Sequence, residues 1–381
     1  MSPPLPLGTL KLLDLSRQLP GPFCSTLLAD LGADVLMIAN PSDPLGIGIS
    51  FLARNKRSMT LNLKADAGRE ILLQLAADAD VLLEGYRPGV PARLGIDYET
   101  LRARNPRLIY CSISGYGQNG PYRDRVGHDI NYLGYAGVLN FIGAAGGPPV
   151  ISGVQIADIA GGGLMAAVGI LTAVIAREHT GRGQFVDIAM LDGSLSCNAY
   201  HILLYLLSGH LPQRGGEQLT GRYPCYAVYE TRDGRHVTLG AFEPHFWATL
   251  CRHFGREDFI DSQWDEGARR EAMFTFFRAA FREKTLAEWM QELGDKDICF
   301  GPVNTLEDTF ADPQLRHRQM IVEMDTAGGR TLVPGTPIKL SETPGTLRTP
   351  PPVFGEHTDG VLASLGFSAA QIAAFRSLGV V

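Results

Sequence analysis

Short apolar runs alternate with stretches of helical spacing over the first part of the chain. The apolar runs lie at 10–15, 34–38, 79–83 and 108–112, and helical spacing separates them at 23–31, 67–77 and 98–103. Strands that alternate with helices are typical of a parallel sheet that helices cover on both faces, with right-handed crossovers. The pattern therefore predicts an α/β fold with a large, Rossmann-like domain.

The hydrophobic pattern changes near residue 226. Two alternating runs, at 226–230 and 236–239, flank a segment that contains Asp233-Gly234, a pair typical of hairpin turns. Helical spacing returns at 244–254, 269–281 and 286–293. We therefore predict a large domain over 1–219 and a small α+β domain over 220–325. The C-terminal segment, 326–381, is expected to return to the large domain.

One long apolar stretch could form either a core helix or a membrane span. Residues 159–176 carry no charge, and this length is at the lower limit for crossing a bilayer. The stretch is rich in Gly and Ala, has no partner span, and follows Asp158 directly. We interpret it as a buried helix and expect no membrane association.

Composition narrows the class of function further. The net charge is −6 and no long basic run is present, so general nucleic-acid binding is not expected. The six cysteines are scattered without a C-x-x-C pair, and the N-terminus lacks a signal-peptide pattern, which together favour the cytoplasm. We find no motif for metal, serine-hydrolase or NTPase chemistry, and no G-x-G-x-x-G after the first strand. No metal or dinucleotide cofactor is predicted.

Three ionisable residues stand out as candidates for catalysis, each with a structural alternative. His128 follows a Gly-rich stretch but could equally be a surface or capping histidine. Asp158 precedes the long apolar helix, where it could be an ordinary N-cap or a carboxylate beside glycines that admit a ligand. Glu243 precedes Pro244 at a helix start, and its aromatic neighbours could desolvate it and raise its pKa.

Basic residues in the first half of the chain are candidates for phosphate docking, because guanidinium groups offer paired donors. The alternative is that they are solvated surface charges. The residues are Arg54, Arg57, Lys64, Arg87 and Arg93.

Several motifs together resemble the family III (CaiB/BaiF) CoA-transferases, a family that includes alpha-methylacyl-CoA racemase. They are LLADLGADV at 27–35, RNKR at 54–57, GYRPG at 85–89, TGRGQ at 180–184 and FGEHT at 354–358. Three further segments look more like the racemase branch, namely GHDINY at 127–132, DIAGGG at 158–163 and FEPHF at 242–246. The resemblance implies an acyl-CoA thioester as substrate and an interlocked homodimer.

Two segments depart from the racemase pattern. IANP at 38–41 lacks the charged pair that racemases usually carry there, and LTGRYP at 219–224 stands where racemases tend to have Leu-Asp-Gly-Gly-Ala-Pro. These departures weaken the assumption of a branched fatty acyl substrate and keep a transferase reaction open.

The resemblance supports three hypotheses. In the first, a racemase, His128 oriented by Asp158 serves one face of the α-carbon of a 2-methyl-branched acyl-CoA, and Glu243 serves the other. Backbone N–H groups near the glycines after Asp158 would stabilise the enolate, and no cofactor other than the substrate's own CoA is needed. In the second, a CoA-transferase, Asp158 is the nucleophile. The third is a CoA-binding regulatory protein without catalysis.

Overall fold

The computed structural model describes residues 5–43, 50–326 and 328–381, so the first four residues of the N-terminal segment lie outside it. Its strands are, in chain order, β1 (Lys11–Asp14), β2 (Asp34–Ala39), β3 (Lys56–Thr60), β4 (Val81–Glu84), β5 (Ile109–Ser114), β6 (Phe185–Ala189), β7 (Tyr226–Glu230), β8 (His236–Gly240), β9 (Phe300–Pro302), β10 (Ile321–Thr326) and β11 (Gly329–Pro334).

The first six strands form one parallel sheet in the order β3-β2-β1-β4-β5-β6. The register places Leu13 of β1 between Leu36 of β2 and Leu82 of β4, and all three side chains are buried. The strand order reverses between β1 and β4, which is the position where open α/β sheets bind ligands beyond the carboxyl ends of the strands. The predicted α/β fold with a Rossmann-like sheet is confirmed.

Helices cover both faces of this sheet and continue through the chain. They are α1 (Pro20–Asp30), α2 (Asp66–Ala77), α3 (Val90–Leu94), α4 (Tyr98–Arg104), α5 (Asp129–Tyr135), a π-helix (Ala157–Leu164) that continues as α6 (Met165–Thr180), α7 (Met190–Cys197), α8 (Ala199–Ser208), α9 (Pro244–His253), α10 (Gly267–Phe281), α11 (Leu286–Leu293), α12 (Leu306–Ala311), α13 (Pro313–His317), α14 (Thr358–Ser364) and α15 (Ala369–Ser377). Leu362 of α14 and Ile372 of α15 are buried in the same apolar cluster as Leu72 of α2.

The described chain divides into two compact units. The larger contains 1–138, 152–199 and 313–381, and the smaller contains 139–151 and 200–312. These limits differ from the predicted boundaries at 219/220 and 325/326, because segment 139–151 and the chain from 200 onward also belong to the smaller unit. In that unit, β7, β8 and β9 form an antiparallel sheet over an aromatic core that includes Trp247, Phe277 and Trp289.

The helix that runs from Ala157 to Thr180 is the one helix in the described ranges that is long and apolar enough to cross a membrane by length and composition. One side of it, with Ala166, Ile170 and Ala173, is buried, and the helix packs against α1, β5 and β6. Val168 and Ile175, on the other side, are exposed. The helix is therefore a core helix of the larger unit that keeps one apolar side uncovered in this chain.

Sequence patterns missed two local features. Strand β3 has the sequence KRSMT, whose first two residues belong to the RNKR motif rather than to an apolar run. The apolar run 191–207, whose pattern is typical of one long helix, forms two helices separated at Asn198, whose Nδ2 donates to the carbonyl of Ala136 at 3.3 Å.

Candidate active site

His128 lies immediately before α5, in the larger unit. Its backbone N–H donates to Oδ1 of Asn131 at 3.0 Å, and the hydroxyl of Tyr132 donates to the carbonyl of Gly127 at 2.6 Å. These two bonds fix the start of the helix around His128, while the His128 residue itself is exposed. An imidazole held on a fixed backbone and open to solvent can exchange protons with a bound ligand.

Asp158 lies inside the first turn of the π-helix, and Ile156, not Asp158, takes the N-cap position. The structural alternative, an ordinary N-cap, is therefore wrong, because the helix begins before the carboxylate. π-Helical turns are rare and occur frequently at functional sites. The Asp158 carboxylate lies near the helix N-terminus, where the helix dipole favours negative charge.

The glycines after Asp158 serve helix packing rather than ligand approach. A Cβ on Gly161 would lie 2.8 Å from the carbonyl oxygen of Met190 in α7, and one on Gly163 would lie 2.9 Å from Phe23 in α1. Their N–H groups lie inside the π-helix and bond to preceding carbonyls. This corrects our expectation that these glycines admit the thioester and supply the donors for an enolate oxygen.

A third acidic residue, Asp129, lies beside Asp158. The backbone N–H of Asp158 donates to Oδ1 of Asp129 at 3.0 Å. The pKa of the Asp158 carboxyl is raised to about 6, first by burial and then by the Asp129 charge, while His128 opposes the shift. The three groups therefore act on one another electrostatically, and Asp158 titrates close to neutral pH.

Asp129 was not among the catalytic candidates predicted from the sequence. The start of α5 at Asp129 was the signal that could have found it, because an acid in the first turn of a helix accepts from nearby backbone N–H groups.

Glu243 takes the N-cap position of α9 in the smaller unit, directly before Pro244. Phe242 contacts Trp264 at 5.0 Å between ring centroids, and Trp247 is fully buried. Glu243 itself is exposed, which does not favour the alternative in which its aromatic neighbours desolvate it. That Glu243 faces His128 across a substrate stays a prediction.

Arg54, predicted to dock phosphates, is instead buried. Its Nε and Nη2 donate to the two carboxylate oxygens of Asp30 at 3.1 and 2.7 Å, and Asp30 is itself fully buried. Lys56, from the same motif, donates to Ser25 and to the carbonyl of Pro22, and burial lowers its pKa to about 8. The side chains of Arg54 and Lys56 therefore bind the chain around β3 to helix α1. We withdraw Arg54 from the residues predicted to dock phosphates.

The other four predicted docking residues are less enclosed. Arg57 forms a half-exposed ion pair with Asp34, at 2.8 Å between Nη2 and Oδ2. Lys64, Arg87 and Arg93 are exposed. For all four residues, phosphate docking stays a prediction.

A small cavity of about 160 Å³ lies beyond the carboxyl ends of β1, β2 and β4, at the reversal of strand order. Lys64 lines it together with Arg17, Asn40 and Tyr86. Sequence reasoning missed Arg17, which forms an ion pair with Asp43 at 2.7 Å. Residues of the segment 38–41, which lacks the usual charged pair, line this cavity. Its two basic side chains, Arg17 and Lys64, come from the loops that follow β1 and β3.

Comparison with known proteins agrees with this arrangement. The model of CoA-transferase family III matches residues 7–358. The chain belongs to this family. A CAIB/BAIF family protein from Brucella suis superposes with a TM-score of 0.82 at 32% identity, covering 94% of this chain and 99% of that one.

Family III relatives with different named reactions are similarly close. Alpha-methylacyl-CoA racemase of Homo sapiens is 37% identical over 96% of this chain and 95% of that protein. Succinyl-CoA:glutarate CoA-transferase of Homo sapiens is 32% identical over 99% of this chain and 90% of that protein. Membership therefore establishes an enzyme of the transferase and racemase superfamily, and the reaction has to be argued from the site.

Proposed function

We propose that this family III protein is an acyl-CoA racemase that inverts the α-carbon of a 2-methyl-branched acyl-CoA through two-base proton transfer. The carrying observation is the cluster of His128, Asp129 and Asp158, in which Asp158 has a pKa of about 6. Because the His128 and Asp158 charges attract each other, an ionised Asp158 stabilises the imidazolium that forms when His128 accepts the α-proton.

In the proposed reaction, His128 removes the α-proton from one face, with Asp158 favouring its charged form. The electrons move onto the thioester oxygen to give an enolate, whose charge the N-terminus of the 157–180 helix stabilises. Glu243 then returns a proton to the opposite face, and the reverse path starts from the other epimer. The chemistry requires no metal or cofactor beyond the CoA of the substrate.

Exchange of the α-proton in D2O tests this proposal without any acceptor acid. Incubating each epimer of a 2-methylacyl-CoA separately should introduce deuterium at the α-carbon and interconvert the epimers. Glu243→Gln should abolish exchange from one epimer only, because its base serves one face. Glu257→Gln, an exposed acid of the same unit, should behave as wild type. Absence of deuterium in both epimers with the wild-type protein would contradict the proposal.

CoA transfer is the second candidate, favoured by transferase relatives at similar identity. An Asp158 carboxylate with a pKa of about 6 is largely ionised at neutral pH and could attack the thioester carbonyl. This attack expels CoA thiolate and leaves a mixed anhydride between Asp158 and the acyl group. The thiolate then attacks the Asp158 carbonyl of the anhydride, which releases the donor carboxylate and gives an enzyme–CoA thioester. The acceptor carboxylate reverses the two steps and leaves as its own CoA thioester. Movement of CoA onto a labelled free acid, lost in Asp158→Asn, would establish this reaction instead.

A further inference from the structure

A buried carboxyl group at the end of β4, that of Glu84, takes no part in the proposed proton transfer. Glu84 is 1% exposed and lies beside Ser112 of β5 in the sheet register, and Ser112 lies beside Asp187 of β6. Within the described ranges, the one charge that acts on Glu84 is that of Asp187, which has the same sign. Burying a carboxyl group beside a like charge is costly, so Glu84 calls for a role other than ion pairing.

The Glu84 carboxyl group holds the loop that follows β4. Its Oε2 accepts from the backbone N–H of Tyr86 at 2.6 Å. Tyr86 lines the small cavity at the reversal of strand order, together with Lys64, and Arg87 is the next residue in the chain. The loop 85–89 thus carries part of the cavity wall and one of the cations predicted to dock phosphates, and Glu84 fixes this loop where it leaves the sheet.

The same carboxyl group is joined to the segment that precedes His128. Nε2 of Gln118 donates to Oγ of Ser112 at 2.8 Å, and the Ser112 hydroxyl in turn donates to Glu84. The backbone N–H of Gln118 donates to Oδ2 of Asp187 at 3.1 Å, which fixes Gln118 over the sheet. A chain of hydrogen bonds therefore connects the loop after β4 with the Gly-rich segment that leads to His128.

We propose that Glu84 is a positioning residue whose carboxylate holds the loop 85–89 in the conformation that binds the CoA part of the thioester. Hydrogen bonds to an ionised acceptor are about twice as strong as neutral ones, so the charge tightens the bonds from Tyr86 and Ser112. A protonated Glu84 holds the loop less firmly, and the ligand must then order the loop when it binds, which costs affinity. The inference rests on the proposed acyl-CoA chemistry and applies to both candidate reactions.

The surroundings of Glu84 make its charge depend on pH in the neutral range. Burial raises the pKa of Glu84 to about 7, the bonds from Ser112 and Tyr86 oppose the rise, and the Asp187 charge adds to it. The other titratable groups that Glu84 faces are side chains whose pKa burial raises, so that they stay neutral below pH 9: those of Tyr86, Tyr110 and Cys111. Arg17, from the loop after β1, acts on the Tyr86 hydroxyl and stays charged throughout.

Calorimetric binding of 2-methylpropanoyl-CoA to the full chain at pH 5.5 and 8.5 tests the inference, with Glu84→Gln beside wild type. Gln keeps an acceptor for the Tyr86 N–H but cannot ionise. At pH 8.5 wild type should bind about tenfold more tightly than Glu84→Gln, the factor expected of one charge-assisted hydrogen bond, and at pH 5.5 the two should bind nearly equally. A phosphate of CoA also titrates near pH 6, and comparing the two proteins at each pH removes its contribution.

Ser112→Ala provides a second test, because losing this donor raises the pKa of Glu84 further. The pH at which affinity rises should therefore move upward. Glu99→Gln, which changes an exposed carboxylate of α4, is the matched control and should bind as wild type at both pH values.

Three results would overturn the inference and leave the thioester chemistry standing. They are equal affinities of wild type and Glu84→Gln at pH 8.5, a ratio of affinities that is the same at both pH values, and a pH dependence that Ser112→Ala leaves unmoved. Failure of wild type to bind the thioester at either pH would overturn the proposed function and this inference with it.

Discussion

Two charged regions of the larger unit differ in how their charges are paired. Around 54–57, each basic side chain contacts a carboxylate: Arg54 bonds Asp30, Lys56 lies 3.8 Å from Asp14, and Arg57 bonds Asp34. At the start of α5 and of the π-helix, two carboxylates, Asp129 and Asp158, instead lie beside each other. Paired buried charges hold segments together, whereas adjacent like charges destabilise and shift a pKa towards neutrality. The contrast separates a structural region from a candidate catalytic one, although both are rich in charge.

The largest expected effect is on activity, in Asp158→Asn. We expect α-proton exchange or CoA transfer to fall about 10²–10⁴-fold, because His128 loses the charge that stabilises its imidazolium or, in CoA transfer, the nucleophile is lost. Asp66→Asn, an exposed carboxylate of the same unit, is the control. An Asp158→Asn protein with wild-type activity in both assays would remove Asp158 from the site.

The same variant should be more stable than wild type at pH 8. The folded-state pKa of Asp158 is raised to about 6 from 3.8, so ionisation opposes folding above pH 6. We expect a gain of about 1 kcal/mol after allowing for solvent screening. The gain should shrink below pH 6 and vanish below about pH 3, where both states are protonated. Urea unfolding at pH 8, 6 and 3 measures it.

The next effect is on stability, in Arg54→Met. Removing one partner leaves the buried Asp30 charge uncompensated, which should lower the free energy of unfolding by about 3–5 kcal/mol. Arg57→Gln breaks a half-exposed pair and should cost less than about 1 kcal/mol. Urea unfolding compares the two variants. A stably folded Arg54→Met protein that had lost CoA affinity would restore Arg54 to phosphate docking.

Asp129→Asn should change the pH dependence of activity. The Asp129 charge contributes to the raised pKa of Asp158, so its removal should lower that pKa. The acid limb of the rate profile should then move to lower pH than in wild type. Profiles of exchange rate between pH 4 and 8 measure this, and an unmoved or upward-shifted limb would show that Asp158 does not control the limb.

The smallest effect is expected for the exposed cation Lys64. Lys64→Gln should weaken CoA-thioester binding about fivefold at low salt and less at high salt, because its contact with phosphate is solvated. Arg57→Gln should weaken binding less than Lys64→Gln does, because the Arg57 guanidinium already bonds the Asp34 carboxylate. Calorimetry at two salt concentrations tests both variants.

The sequence alone determined the order of strands and helices in the larger unit, the hairpin around Asp233-Gly234, and the family. Hydrophobic period and turn chemistry depend on near neighbours in the chain, so a sequence displays them directly. It did not distinguish Arg54 from Lys64, which look alike as basic residues in the same half of the chain.

Only the tertiary structure decided which charges have partners. Arg54 and Asp30, which form a hydrogen bond, are 24 positions apart in the sequence, and Asp158 and Asp129 are 29 positions apart. The same holds for a cavity in the smaller unit, whose lining includes residues of β7, β8 and α10 together with Cys299, the residue before β9. Burial and ion pairing depend on the whole fold around a side chain, and no local pattern carries that information.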